Sequence, residues 1–374
     1  MQRVRIQGGA TAGVALVAAA LSLAACSSSG SGGSSSSGSP SASSAAAKLS
    51  GTLNGSGSTF QTTFQQTAIQ SFKSIQPGLT INYGGGGSGK GRTDLASGVV
   101  NYAGSDSPIP SSQASLFTGK TILYFPVVIG PITVSYNLSG VSNLKLDGPV
   151  LAQIFDGSIT SWNNAAIKAI NPGVTLPSTA ITIAHRSDSS GTTQNFSEFL
   201  VKSAPGVWKL GTSSTINWPA ASRGGNGNGG VASIIKSTPG AIGYVDYADA
   251  KASGLVYASI KNQAGDYVAP STTSASAAAS QATVKPDLTF SAIWAPGASS
   301  YPITYQSWDL VNQAQSSSAT TANLKGYIGY LLGDGQKLLP ELNYAPLPSN
   351  IDQMAVAQLS KIGSSSASPA ASSS

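Results

Sequence analysis

Residues 186–192 read Arg-Ser-Asp-Ser-Ser-Gly-Thr, and the rest of this 374-residue sequence is organised around them. The short alternating apolar run before them, residues 181–184, predicts a strand, and residues 193–200 after them predict a helix. A helix N-terminus attracts anions because its first N–H groups lack partners and the peptide dipoles add there. Ser, Asp and Gly are also ordinary capping residues, so this stretch alone predicts either an anion site or a capped helix start.

Two further strand-to-helix turns rich in small residues come earlier in the chain. The predicted strand over residues 49–53 runs into Asn-Gly-Ser-Gly-Ser-Thr-Phe at 54–60, and a predicted helix follows. The predicted strand over residues 79–83 runs into Gly-Gly-Gly-Gly-Ser-Gly-Lys-Gly-Arg at 84–92. Glycines let the backbone approach a ligand closely, so three such turns together favour an anion-binding cleft.

A carboxylate follows another predicted strand. Residues 99–103 run into Gly-Ser-Asp-Ser-Pro at 104–108, which places Asp106 where a strand meets a loop. The carboxyl ends of strands form the ligand-facing edge of an open α/β sheet, although an aspartate there can also cap a turn. A carboxylate beside an anion site is informative if the anion carries a proton.

The residue inventory gives little support to an enzyme. His185 is the only histidine, and Ser88 lacks the G-x-S-x-G pattern because Lys90 holds its last position. The P-loop pattern fails as well, since Gly91 stands where a Ser or Thr would hold magnesium. With no catalytic set and no zinc-binding cluster, we expect a binding protein without enzymatic activity, cofactor or metal.

The first 26 residues predict a lipoprotein signal peptide. A basic start is followed by a short apolar segment and by Leu-Ala-Ala-Cys at 23–26. Cys26 is the only cysteine, and its position resembles the lipobox of bacterial lipoproteins, in which the cysteine is lipidated. The alternative is an ordinary cysteine near a cleavage site. We expect a lipid anchor at Cys26, a flexible Ser/Gly tether over 27–48 and a disordered tail over 363–374.

Composition and charge are those expected of an exported protein. Of the 374 residues, 40% are hydrophobic and 9% are charged. Loss of Arg3 and Arg5 with the signal leaves 18 basic and 14 acidic residues, and this net charge of +4 favours small anions. No Lys/Arg run with interleaved aromatic residues occurs, so we expect no nucleic-acid partner. The remaining length, about residues 49–362, predicts two domains.

Three other segments receive structural predictions. Residues 125–129 and 132–136 predict apolar strands, interrupted by Gly130-Pro131, that could cross from one domain to the other. The glycine-rich residues 223–230 predict a flexible surface loop, and contact with a ligand is the alternative. The last third of the chain carries no constellation of reactive groups and predicts scaffold.

Taken together, these motifs resemble the phosphate-binding lipoproteins of bacterial high-affinity phosphate ABC importers. The resemblance covers nearly all of residues 49–362, in the family's order of motifs. It implies an α/β, two-domain type II periplasmic-binding-protein fold, each domain a mixed sheet flanked by helices, with the ligand cleft between them. Residues 49–128 and 285–362 would form the first domain, and residues 129–284 the second. The motifs that carry the resemblance are 55–60, the loop around Ser88, 104–108, 186–192 and 239–245.

Carried over residue by residue, the resemblance implies a set of phosphate-binding residues. Arg186 supplies the positive charge, Asp188 orients it, and Asp106, as an ionised carboxylate, accepts the proton of mono- or dibasic phosphate. Sulfate brings no proton near neutral pH and would leave that buried acceptor unpaired, a penalty of several kcal/mol. The full set is Ser58, Thr59, Phe60, Ser88, Asp106, Arg186, Ser190, Gly191 and Thr192.

The implied function is capture of inorganic phosphate and its delivery to an ABC phosphate permease complex in the membrane. We expect a monomer, anchored by lipid to the extracytoplasmic face of the cell membrane. The alternatives are a binder of another tetrahedral oxyanion, such as sulfate, molybdate or a phosphonate, a secreted phosphoester hydrolase, and a structural or adhesive surface protein.

Overall fold

A 15-residue strand, Ile122–Tyr136, crosses the middle of the sheet and is buried along nearly its whole length. The computed structural model describes residues 48–364. The predicted interruption at Gly130-Pro131 is wrong, because the strand changes partners there instead of ending. Pro131 forms the last pair with one neighbouring strand and Ile132 the first pair with the next, so the missing N–H of the proline falls where one ladder ends.

The elements alternate between strands and helices, which confirms the predicted α/β class. The strands are β1 Gly51–Gly57, β2 Leu79–Gly84, β3 Tyr102–Ser105, β4 Ile122–Tyr136, β5 Lys145–Leu146, β6 Thr182–Arg186, β7 Arg223–Gly225, β8 Ala241–Asp246, β9 Val256–Tyr257, β10 Ser259–Lys261, β11 Tyr267–Val268 and β12 Thr304–Asn312. The α-helices are α1 Thr62–Ile75, α2 Ser88–Ala96, α3 Gly148–Phe155, α4 Ala165–Ala169, α5 Gly191–Ser203, α6 Gly227–Ser237, α7 Tyr247–Ala252, α8 Thr272–Ala279, α9 Ser318–Leu332 and α10 Ser349–Gln358. Short 3-10 helices span Ser111–Phe117, Asp334–Leu338 and Leu359–Lys361.

Nine strands form one sheet in the order β2-β1-β3-β12-β4-β8-β6-β7, with β9 also paired to β4. Strands β1, β2 and β3 are mutually parallel, and so are β6, β7 and β8. Strand β12 is antiparallel to both β3 and β4, and β4 is antiparallel to β8. A small separate sheet has the order β11-β10-β5. The two parallel groups are therefore joined through β4, with their carboxyl ends available for loops that bind ligands.

Aromatic side chains support both parallel groups. The ring of Phe60 lies 4.3 Å from that of Tyr305 and 5.1 Å from that of Tyr344, and all three rings are buried. Phe196 stacks on Tyr244 at 4.6 Å. Burial of each such ring contributes roughly 1.5–3 kcal/mol. These rings lie directly next to the predicted anion-binding residues and hold their turns in place.

Trp162 is a core residue. Its ring is fully buried, and its Nε1 donates a hydrogen bond to the carbonyl of Gly240 at 2.9 Å. Within residues 48–364, no helix combines the length and the apolar character needed to cross a membrane.

Candidate anion-binding site

Asp106 follows β3 directly and is 1% exposed. Its Oδ1 accepts hydrogen bonds from the hydroxyl groups of Ser58 and Ser307, the latter at 2.6 Å. Its Oδ2 lies 3.2 Å from the Ser88 hydroxyl, and its own N–H donates to that hydroxyl at 3.1 Å. Burial raises the pKa of the Asp106 carboxyl, while these hydroxyl groups and the positive charge of Arg186 oppose that rise.

The turn after β1 brings Ser58, Thr59 and Phe60 to the same edge of the sheet. The Phe60 N–H donates to the Ser58 hydroxyl at 3.1 Å, so this predicted phosphate donor takes part in the turn itself. The half-buried Thr59 offers its hydroxyl oxygen to Asn228, which donates to it from both its backbone N–H, at 3.3 Å, and its side-chain amide, at 3.2 Å.

Arg186 ends β6 and is 4% exposed. Asp188 holds its guanidinium by two parallel contacts, Nε to Oδ1 at 2.8 Å and Nη2 to Oδ2. Nη1 donates to the Thr192 hydroxyl at 3.3 Å. Asp188 also accepts from the N–H of Gly227 at 3.1 Å, which fixes the carboxylate itself. A bidentate pair of this kind fixes the plane of the guanidinium as well as its position.

The start of α5 follows the predicted helix-capping pattern. Ser190 is the N-cap, and its hydroxyl accepts from the N–H of Thr193 at 3.1 Å. Its own N–H donates to the carbonyl of Ser214 at 2.9 Å. The hydroxyl proton of Ser190 and the first N–H groups of α5, including those of Gly191 and Thr192, remain to serve an anion.

Gly191, at the start of α5, lies against the turns that follow β2 and β3. A Cβ at this position would lie 2.5 Å from the Ser88 hydroxyl and 2.6 Å from Cβ of Asp106. The carbonyl of Asp106 accepts from the side-chain amide of Asn195, one turn further along α5, at 2.7 Å. The structure thus places Ser88 and Asp106 against Gly191, although the predicted turns lie about 85 to 100 residues apart in the sequence.

His185 is packed at the end of β6. Its ring stacks on Trp218 at 5.4 Å, and its Nδ1 lies 2.9 Å from the carbonyl of Arg186. Burial lowers the pKa of its imidazole. Among residues 48–364, no group of three His, Cys, Asp or Glu side chains is arranged to hold a metal ion.

Two predictions about the surroundings of the site are wrong. Residues 223–230 are not a flexible loop, because 223–225 form β7 and α6 begins at Gly227, next to Asp188. The last third of the chain is more than scaffold, because it supplies Ser307 to Asp106. Asn195 and Asn228 were also missed. A buried asparagine near a glycine-rich turn is a weak signal, and only the pairing of β12 with β3 reveals Ser307.

A groove of about 400 Å³ opens beside Thr59. It is lined by small and polar residues from the β1–α1 turn with the start of α1, the β2–α2 turn, the start of α6 and α7: Thr59, Thr62, Thr63, Gly85, Gly86, Asn226, Gly227, Asn228, Gly229 and Asp249. The buried site therefore lies next to a polar groove that reaches the surface.

Comparison with known proteins gives consistent matches over most of the chain. A model of the PBP superfamily domain matches residues 42–334. The phosphate-binding protein PstS 3 of Mycobacterium tuberculosis (strain H37Rv) is 37% identical over 309 residues, which cover 79% of this chain and 83% of the relative. The phosphate-binding protein PstS of Xylella fastidiosa (strain 9a5c) is 39% identical over 279 residues, with 73% and 76% covered.

Solved structures share the fold at lower identity. A high-affinity periplasmic phosphate-binding protein, PfluDING, determined with bound phosphate, has a TM-score of 0.69 at 22% identity and covers 82% of this chain and 94% of its own. A phosphate-binding protein from Stenotrophomonas maltophilia has a TM-score of 0.66 at 19% identity, with 82% and 93% covered.

Proposed function

This chain belongs to the phosphate-binding proteins of the PBP superfamily, and on that premise we propose that it captures inorganic phosphate outside the cytoplasm for import. Its fold is the type II periplasmic-binding-protein fold. The ligand would lie where Asp106, Ser88 and Gly191 meet, within reach of the Arg186 charge.

The observation that carries the proposal is a buried carboxylate placed among hydrogen-bond donors. A site for an arbitrary anion would bind its ligand more tightly without Asp106, since the negative charge of the carboxylate repels the anion. An anion with an acidic hydrogen turns that cost into a hydrogen bond, because an ionised carboxylate can only accept. Phosphate carries one or two protons near neutral pH, whereas sulfate carries none.

The remaining donors suit a tetrahedral oxyanion. Arg186 carries one formal positive charge, and its binding to Asp188 fixes the direction of its remaining N–H groups. Gly191 and Thr192 add the dipole and free N–H groups of a helix start, and Ser190 adds its hydroxyl proton. Neutral donors on every side can hold a desolvated anion without a matching number of cations.

We also propose that the cleft closes between two domains, residues 49–128 with 285–362 and residues 129–284. Contacts between turns of the two domains, such as that of Gly89 with Ser189, would form on closure. The mature protein would be a monomer held by lipid at Cys26 on the extracytoplasmic face of the membrane. From there it would pass phosphate to an ABC permease.

Calorimetric titration of phosphate-free protein tests the main proposal. We expect tight, single-site binding of phosphate and no measurable heat from sulfate at neutral pH. Sulfate binding comparable to phosphate binding would sink the proposal. Turnover of a chromogenic phosphoester, lost with His185→Ala, would instead support a hydrolase. Mass spectrometry of the mature N-terminus separately tests the lipid anchor.

A further inference from the structure

We propose that Ser307 and Gln61 are positioning residues that fix Asp106 as a hydrogen-bond acceptor and thereby set its preference for a protonated anion. Ser307 lies in β12, outside the turns that form the site, and Gln61 ends the turn after β1 as the N-cap of α1. The inference rests on the proposed phosphate function and adds the part of the fold that enforces its selectivity.

The direction of the hydrogen bonds can be assigned from the donor inventory. The side-chain nitrogen of Gln61 lies 3.0 Å from the carbonyl of Trp308 and 2.7 Å from the hydroxyl of Ser307. A backbone carbonyl only accepts, so the amide nitrogen of Gln61, not its oxygen, must face it. The second hydrogen of that nitrogen then occupies a lone pair of the Ser307 hydroxyl.

The hydroxyl proton of Ser307 is therefore free to donate a hydrogen bond to another acceptor. Its hydroxyl lies 2.6 Å from Oδ1 of Asp106, and the proton must point there. Ser58 is arranged in the same way, because its hydroxyl accepts from the Phe60 N–H and so donates to the same Oδ1. Two hydroxyl groups thus donate to one carboxylate oxygen, which stabilises the ionised form of Asp106.

The other carboxylate oxygen is left for the ligand. Oδ2 accepts one hydrogen bond, from the Ser88 hydroxyl at 3.2 Å, and lies beside the start of α5, where a Cβ on Gly191 would be 2.8 Å from it. An anion at this position would meet Oδ2 of a carboxylate that the two hydrogen bonds to Oδ1 keep ionised and hold in one orientation. Selectivity for a proton on the ligand then depends on Ser307 as much as on Asp106.

The strand pairing explains why Ser307 reaches Asp106. Strand β12 is antiparallel to β3, with Trp308 opposite Ser105, so Ser307 comes next to the residue that follows β3. The pairing of β12 with β4 shifts by one residue between Ser307 and Trp308. A bulge of this kind redirects side chains and is common beside functional sites.

Other charged or titratable groups also act on Asp106. Two of them are positively charged: the buried guanidinium groups of Arg186, from β6, and Arg92, from α2. The others are the phenols of Tyr83, Tyr305 and Tyr344, whose own ionisation is suppressed by burial. None of them is changed by a substitution at position 307, so the contribution of the serine can be isolated.

Loss of the Ser307 hydroxyl should let Asp106 take up a proton at higher pH. A protonated carboxyl can donate a hydrogen bond, and it can then bind an anion that has no proton of its own. Sulfate affinity therefore reports the protonation of Asp106. It should rise as pH falls, and the pH at which it rises should move upward when Ser307 is changed.

The experiment is competition of sulfate against phosphate, measured by calorimetry between pH 4.5 and 8.5. We expect Ser307→Ala to move the onset of sulfate binding upward by about one pH unit, a tenfold change in proton affinity. Ser307→Cys, with a weaker donor, should move it less, and Ser307→Thr should restore the original profile. Ser135→Ala is the matched control, since Ser135 is a buried strand serine bonded to Thr133.

The outcomes separate the two proposals. If the unmodified protein binds no phosphate, the proposed function fails. If it binds phosphate but the sulfate profiles of Ser307→Ala and Ser307→Cys coincide with that of the unmodified protein, this inference alone is overturned. The cysteine variant, nearly equal in size to serine, keeps the test available if the alanine variant fails to fold.

Discussion

The backbone N–H of Gly89 donates a hydrogen bond to the carbonyl of Ser189 at 3.0 Å, which joins the glycine-rich turn before α2 to the turn after β6. Gly89 lies in the first turn of α2. A Cβ there would overlap the Ser189 side chain. The glycine is thus needed for the contact between the two turns and not for its own backbone conformation.

Gly89→Ala should weaken phosphate binding without touching the ligand. The added methyl group would hold the two turns apart in the closed form, while alanine is favoured over glycine inside a helix. We expect at least a tenfold faster dissociation of phosphate by stopped-flow fluorescence, with unchanged or slightly higher thermal stability of the phosphate-free protein. Gly329→Ala, in the last turn of α9, where a Cβ would lie 3.5 Å from the Leu359 side chain, is the control. Unchanged dissociation for Gly89→Ala would contradict this role.

Asp106→Asn should change selectivity more than affinity for phosphate. The asparagine oxygen can still accept from Ser58 and Ser307, while its amide group can donate to an oxyanion. We expect the ratio of phosphate to sulfate affinity to fall by tenfold or more in calorimetric titrations at pH 7. An equal loss of affinity for both anions would show that Asp106 only supports the fold.

Arg186→Lys should weaken phosphate binding by roughly 10- to 100-fold, because lysine cannot reproduce the two parallel contacts with Asp188 or the fixed plane of the guanidinium. Equilibrium titration measures the effect. Arg223→Lys is the matched control, since Arg223 is exposed and contacts only Thr238 through its Nη1. Equal affinities for the two variants would contradict a direct role of Arg186.

Asp309→Asn should stabilise the protein at alkaline pH. Asp309 is fully buried, accepts hydrogen bonds from Gln65 and has a pKa raised by burial to about 7. A raised carboxyl pKa makes the folded state bind more protons than the unfolded state, so stability falls as pH rises from about 4 to about 7. The shift corresponds to a cost on the order of 4 kcal/mol above pH 7.

The measurement is thermal unfolding of both proteins from pH 5 to pH 8.5. The melting temperature of Asp309→Asn should exceed that of the unmodified protein at pH 8, and the difference should shrink towards pH 5. A constant difference across this range would show that Asp309 is not the titrating group.

The local chemistry of the site could be predicted from short stretches of sequence. Ser190 caps α5, Arg186 ends β6, and Asp106 follows β3, as the patterns indicated. Such features depend on a few adjacent residues, whose propensities and unpaired backbone groups act over one or two turns. The resemblance to a phosphate-binding family then ordered these turns into one site, and the family matches agree with it.

The environment of Asp106 could not be predicted in this way. Ser307 lies 201 residues further along the chain, and it reaches Asp106 only because β12 inserts between β3 and β4. Asn228 meets Thr59 across 169 residues for a comparable reason. No local pattern marks either residue, since serine and asparagine are common in loops and surfaces as well.

The sequence by itself thus determined the signal-like start, the α/β pattern and three strand-to-helix turns of small residues, which we predict bind an anion, because each depends on neighbouring residues. The tertiary structure alone decided that Gly89 meets Ser189, and that Gln61 donates to the Ser307 hydroxyl, which in turn donates to Asp106. Hydrogen-bond direction in a buried network depends on every partner at once, and these partners come from distant strands. The turns supply the hydrogen-bond donors of the site, and the packing of β12 places Ser307 where it holds Asp106 as a hydrogen-bond acceptor.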